Sequence, residues 1–105
     1  TNKMALEITG NIELDNGIVV NSLYVRTQAD LSDDGKMVYC GAKYWSSKTA
    51  EENKQVQVYP NFWTELKPEV AYDRATDGSD ILQYANEFVK FQFESRGLTA
   101  TIIDL

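Results

Sequence analysis

The chain has 105 residues, 43% hydrophobic and 11% aromatic, a composition that fits one folded domain and not a disordered tract. Its net charge is −6, its ten basic residues are scattered, and it contains no histidine. These features exclude a phosphate-binding basic cluster, and with it nucleic acid as an expected partner, together with every mechanism that needs an imidazole.

Met4, Leu6, Ile8, Ile12 and Leu14 fall on even positions, with Glu7, Thr9, Asn11 and Glu13 between them. This period of two predicts a half-buried strand, and Gly10 marks a bulge or bend within it. Asp15-Asn16-Gly17-Ile18 carries the Asn-Gly pair and predicts a type I′ hairpin turn. A second strand is predicted from Ile18 to Leu31. Its apolar phase slips from Ile18 and Val20 to Leu23, Val25, Ala29 and Leu31, which predicts a bulge near Asn21-Ser22. Ser32–Lys36 is a turn with Gly35 at its left-handed position.

Met37–Trp45 predicts a third strand. Val38, Cys40, Ala42 and Tyr44 lie on one side, and Met37, Tyr39, Lys43 and Trp45 on the other. Ser46–Asn53 reads as a helical turn, with capping-box spacing in Thr49-Ala50-Glu51-Glu52. A fourth strand is expected over Lys54–Leu66, with Val56 and Val58 inward and Phe62, Thr64 and Leu66 continuing that row. Pro60 assigns this strand to a sheet edge or breaks it. After the polar stretch Lys67–Asp77, the segment Ser79–Gly97 predicts the main helix, started by Ser79 or Asp80 and ended at Gly97. Its apolar stripe runs through Ile81, Tyr84, Ala85, Phe88 and Phe91, widened by Leu82, Val89 and Phe93, so Phe88 is expected in the core. The β-branched tail Leu98–Leu105 predicts a last strand. The resulting class is α+β: a single domain over residues 1–105, built as an antiparallel sheet or small β-sandwich with one helix of the C-terminal half on a face.

Little in the chain carries chemistry. Cys40 is the only cysteine, which excludes an intrachain disulfide and a thiolate metal cluster; it reads as a small buried hydrophobe. The Tyr39/Lys43 and Tyr44/Lys48 spacings follow no glycine-rich phosphate loop. Asp73, Asp77 and Asp80 lack the alternating ligands of a calcium loop, and helix capping explains Asp80 more simply. Glu51 and Glu52 read as a solvated helix face. The expectation is a protein with no catalytic, cofactor or metal residue, and not an enzyme. No apolar run resembles a signal peptide or a membrane span, so cytosolic residence without a membrane partner is expected.

The stretch Met4-Ala5-Leu6-Glu7-Ile8-Thr9-Gly10-Asn11-Ile12-Glu13-Leu14-Asp15-Asn16-Gly17-Ile18 runs on to Ser22-Leu23-Tyr24-Val25-Arg26. It resembles the opening of small virion proteins of tailed bacteriophages, in which a strand and a glycine-containing turn precede an apolar strand with a Tyr-x-Arg run. Lys43-Tyr44-Trp45-Ser46-Ser47-Lys48-Thr49-Ala50 is similar to the aromatic strand and alanine-containing helical turn that follow there. The resemblance covers roughly the N-terminal half. It implies a non-enzymatic structural component of tail, neck, baseplate or capsid surface, assembled in the host cytoplasm and working by protein–protein contact. Its partners would be other virion proteins or copies of itself. The alternative is a stand-alone acidic binding module or inhibitor of a host enzyme.

Residue type points to the surface such a protein would use. Tyr24, Arg26, Tyr39, Trp45, Tyr59 and Trp63 fall on rows read as outward, and aromatics and arginine are enriched at interface hot spots. Either the Tyr39/Trp45 row or the Tyr59/Trp63 row would make the contact, with Arg26 as a polar anchor. Otherwise some of these rings form a second core beneath the other face of the sheet.

Overall fold

The computed structural model describes residues 4–105, and shows the α+β fold expected: a five-stranded antiparallel sheet with a long helix on one face. Strands β1 (Met4–Glu13), β2 (Val19–Leu31) and β3 (Met37–Trp45) form a meander. β4 (Glu69–Ala71) pairs with β3 at one edge, and β5 (Thr99–Asp104) pairs with β1 at the other, giving the order β4-β3-β2-β1-β5. Helix α1 (Lys48–Glu52) follows β3, α2 (Arg74–Asp77) follows β4, and α3 (Ile81–Glu94) leads into β5.

The first hairpin closes by a different turn from the one its Asn-Gly pair predicts. Only Gly17 has positive φ, at 87°, so the turn is not type I′. Gly17 N–H donates to the Leu14 carbonyl at 2.9 Å, Leu14 N–H donates to Ile18 at 2.7 Å, and the Asn16 side chain accepts from Ile18 N–H at 3.0 Å. That is a three-residue loop in which one left-handed glycine suffices. The irregularity expected at Asn21-Ser22 of β2 lies on the facing strand. Thr9 pairs with Ser22 and Ile12 with Val20, so the extra residue is in β1 at Gly10-Asn11. Gly10 sits at φ 140°, and a Cβ there would stand 2.6 Å from Leu98 Cδ2. The missing side chain lets the segment after α3 pack onto β1.

By strand alternation, Leu6, Ile8, Leu23, Val25 and Tyr44 share the face that α3 covers, where they are buried together with Val89, Phe93 and Ala100. Asp80 caps α3 by accepting from Gln83 N–H at 3.1 Å. The helix is rotated from the phase its aromatic stripe predicts. It buries Ala85, Asn86, Val89, Gln92 and Phe93, whereas Phe88 is only half-buried and Phe91 is 65% exposed. Long-range hydrogen bonds fix this rotation. The Gln92 amide accepts from Lys67 N–H at 2.6 Å and donates to the Lys67 carbonyl at 3.1 Å, and the Tyr84 hydroxyl donates to the Ala71 carbonyl.

The expected fourth strand over Lys54–Leu66 does not form, and Val56 is 88% exposed. This segment hydrogen-bonds to scattered parts of the fold instead of to one strand. Val58 N–H reaches Tyr44, Asp15 N–H reaches Tyr59, and Asn61 N–H reaches Glu13. Pro60 is buried in an isolated bridge with Leu14, and Trp63–Glu65 form one 3₁₀ turn.

Candidate functional site

The six residues picked out by type separate onto two sides of the sheet. Tyr24, Arg26, Tyr39 and Trp45 lie on the face opposite α3, where Tyr24 is cross-strand from Trp45 and Arg26 from Lys43. Most of this row is covered. Ser47 caps α1, accepting from Ala50 N–H at 3.1 Å. On this face Ala5 and Tyr24 are buried, as is Ala50 of α1. Arg26 meets Glu51 of α1 at 3.5 Å, and the Trp45 indole N–H donates to the Gln55 carbonyl at 3.2 Å, tethering the chain that leaves α1. Tyr24, expected at an interface, is 2% exposed and is a core residue. Of the row, Tyr39 alone is open, 46% exposed beside the β4 edge.

Tyr59 and Trp63 are brought together by the irregular segment. Their rings are 5.5 Å apart, and Tyr59 meets Tyr44 edge-on at 6.0 Å. Behind them, Phe93 packs edge-on against Tyr44 at 6.3 Å and Phe62 at 5.8 Å, with the Arg96 guanidinium 4.8 Å above the Phe62 ring. These rings back a cleft of about 370 Å³ between the outer edge of β3 and α3. Its floor is Cys40, Ala42 and Tyr44; Tyr59, Trp63, Leu66 and Pro68 wall one side, and Val89 and Gln92 the other. Trp63 stands at the rim, 45% exposed. A second recess, of about 230 Å³, lies between Glu7, Ser22, Tyr24 and Ser47.

At neutral pH the cleft floor carries no charge. Burial pushes the Tyr44 phenol up to about 12, with Tyr59 adding to the shift, and burial pushes the Cys40 thiol up to about 11. A thiol held protonated is a poor nucleophile, and the chain has no imidazole to activate it. The arrangement suits binding of apolar groups.

The aspartates weighed as metal ligands serve the backbone. Asp73 caps α2 by accepting from Ala75 N–H at 3.0 Å, Asp77 accepts from Asp73 N–H at 2.8 Å, and Asp80 caps α3. Among the described residues, no group of three or more metal-ligating side chains is gathered, and no helix is long and apolar enough to cross a membrane.

Sequence reasoning missed Cys40, Ala42, Tyr44, Pro68 and Gln92 as parts of the cleft. The only local signal was the small-small-aromatic row Cys40, Ala42, Tyr44 on β3. Searches of protein-family models, curated proteins and solved structures gave no match to this chain.

Proposed function

We propose that the protein is a non-enzymatic assembly component that engages a partner protein through the Tyr59/Trp63 cleft. The observation that carries this reading is Trp63, a large ring 45% exposed and tilted against Tyr59 at the mouth of a mainly apolar cleft. Aromatic residues that become desolvated in a pocket on binding are the usual seat of interface energy. The N-terminal resemblance to phage virion proteins supplies the setting: a structural subunit of tail, neck, baseplate or capsid surface, with other virion proteins or further copies of this chain as partners.

The test combines particle composition with one substitution. Mass spectrometry of purified virions should find this chain in many copies per particle. Trp63→Ser should remove it from particles while leaving its isolated melting temperature nearly unchanged, because the ring is half in solvent. A chain absent from particles that instead co-purifies with a host enzyme would replace this reading with that of an inhibitor. A Trp63→Ser variant that assembles normally would move the working surface elsewhere.

A further inference from the structure

The cleft floor has a property that its apolar walls do not convey: an interrupted sheet edge. Residues that face their backbone groups toward one side of a strand alternate along it. Cys40 N–H donates outward to the Pro68 carbonyl at 2.7 Å, and the Tyr44 carbonyl accepts outward from Val58 N–H at 3.0 Å. Ala42, between them, therefore also directs its N–H and C=O outward, away from β2. Neither group has a hydrogen-bond partner among the described residues.

Two residues cause the gap. Pro68 has no N–H to return to the Cys40 carbonyl. One residue earlier, the Gln92 amide holds both backbone groups of Lys67 and draws the chain up toward α3 instead of on along β3. On the other side of the gap, the chain touches β3 at Val58 and turns off to Tyr59 and Pro60.

The pairing rules then specify what fills the gap. In an antiparallel pair, the residue opposite Ala42 exchanges both N–H···O bonds with it, and its side chain emerges on the same face as that of Ala42. That face is the floor of the aromatic cleft. Ala42 is small, so space above it is left free. We infer that the cleft binds one extended residue of a partner protein, whose main-chain amide pairs with Ala42 while its neutral apolar side chain inserts among Tyr44, Tyr59, Trp63 and Val89. Charge agrees: the floor, where the inserted side chain would rest, is uncharged at neutral pH, Lys67 is the one basic residue of the lining among the described residues, and the chain as a whole carries −6. The volume, about 370 Å³, is at the low end of the roughly 300–1,000 Å³ of ligand pockets and suits one side chain rather than a long peptide.

This inference rests on the partner-binding reading of the cleft and can fail separately from it. The probe is N-acetyl-L-phenylalanine N-methylamide, a single residue with both flanking amides. Titrated into ¹⁵N-labelled protein, it should shift the Ala42 amide and the Trp63 indole resonances together, with a Kd on the order of 1 mM. The glycine analogue, which keeps the amides and loses the ring, should bind at least about tenfold more weakly. The N-methyl-phenylalanine analogue, which keeps the ring and loses the central donor, should weaken similarly. Trp63→Ser should reduce binding of the phenylalanine probe without moving the apo Ala42 amide. An unmoved Ala42 amide at saturating probe, or equal affinity for all three compounds, would overturn the inference. If Trp63→Ser still abolished virion incorporation in that event, the assembly reading would stand and only the strand-pairing mode would fall.

Discussion

Phe93 and Phe91 are two residues apart on one helix, and the structure assigns them opposite fates. Phe93 is fully buried and meets Tyr44 and Phe62 edge-on, whereas Phe91 is 65% exposed. A buried phenyl side chain removes roughly 150–250 Å² from water, which at about 25 cal/mol per Å² gives an upper figure of roughly 4–6 kcal/mol. Phe→Ala changes in cores cost about 3–5 kcal/mol, and Phe93→Ala is expected in that range. Small domains are stable by about 5–15 kcal/mol, so this variant would retain little margin. In urea, with a slope of about 1–3 kcal/mol per M, its midpoint should fall by roughly 1–5 M. Phe91→Ala should stay within about 0.5 kcal/mol of the parent. Paired urea melts followed by far-UV circular dichroism measure both. Equal losses, or a greater loss from Phe91→Ala, would mean that α3 packs in the phase its aromatic stripe suggests, and the buried face described above would be wrong.

Further expectations follow from single contacts. Gly10→Ala should cost roughly 1–3 kcal/mol, from its positive φ and from the 2.6 Å approach of Leu98 Cδ2; in a Leu98→Ala background the added cost should shrink but not vanish, because the φ strain remains. Asn86 is fully buried, and its Oδ1 has no partner among the described residues although its Nδ2 donates to the Leu82 carbonyl at 2.8 Å; Asn86→Leu should raise stability by about 1 kcal/mol in a thermal melt. Cys40 and Tyr44 have folded pKa values raised from 9.0 to about 11 and from 10.0 to about 12, so the folded state holds their protons more tightly than the unfolded chain. Their contribution is complete below pH 9 for Cys40 and below pH 10 for Tyr44, and is lost as pH rises to about 11 and about 12, so stability should fall across that window and Tyr44→Phe should flatten its upper part. The same thiol shift should make Cys40 react with a disulfide reagent at pH 8 about a hundredfold more slowly than a free thiol, unless local opening exposes it.

Strands β1, β2 and β3 and the Ser32–Lys36 turn were legible because their causes are local, whereas the form of the first turn and the short strand β4 were not. Alternation marked β1, β2 and β3, and Met37–Trp45 matches residue for residue. The position of α3 was legible from Asp80 and the three-and-four spacing after it, but its rotation was not. Ile81, Tyr84, Phe88 and Phe91 make the strongest apolar row, yet the side chains turned inward are Ala85, Asn86, Val89, Gln92 and Phe93. Gln92 is held by Lys67, 25 residues away, and Tyr84 by Ala71, 13 residues away, and periodicity within the helix carries no information about either. The segment Lys54–Leu66 misled for a related reason. Val56 and Val58 alternate as a strand would, but strand formation requires a partner ladder, and here the donors go to Tyr44 and the first hairpin.

The candidate site divides along the same line. Tyr59 and Trp63 were picked out by residue type and by the outward row of a strand that does not form, and they line the cleft by another route. The assignment of Tyr24 failed because α1 lies on its face, held by the Arg26–Glu51 pair and the Trp45–Gln55 tether, contacts that alternation along β2 does not record. The edge gap at Ala42 was the least legible feature. It depends on Pro68 lacking a donor, on Gln92 diverting Lys67, and on Val58 closing the far side. A hydrophobic pattern records which residues are covered, whereas an open edge consists of backbone groups left without a partner. Such groups carry no side-chain signature, so a site of this kind becomes visible only when every backbone donor and acceptor along the strand is accounted for.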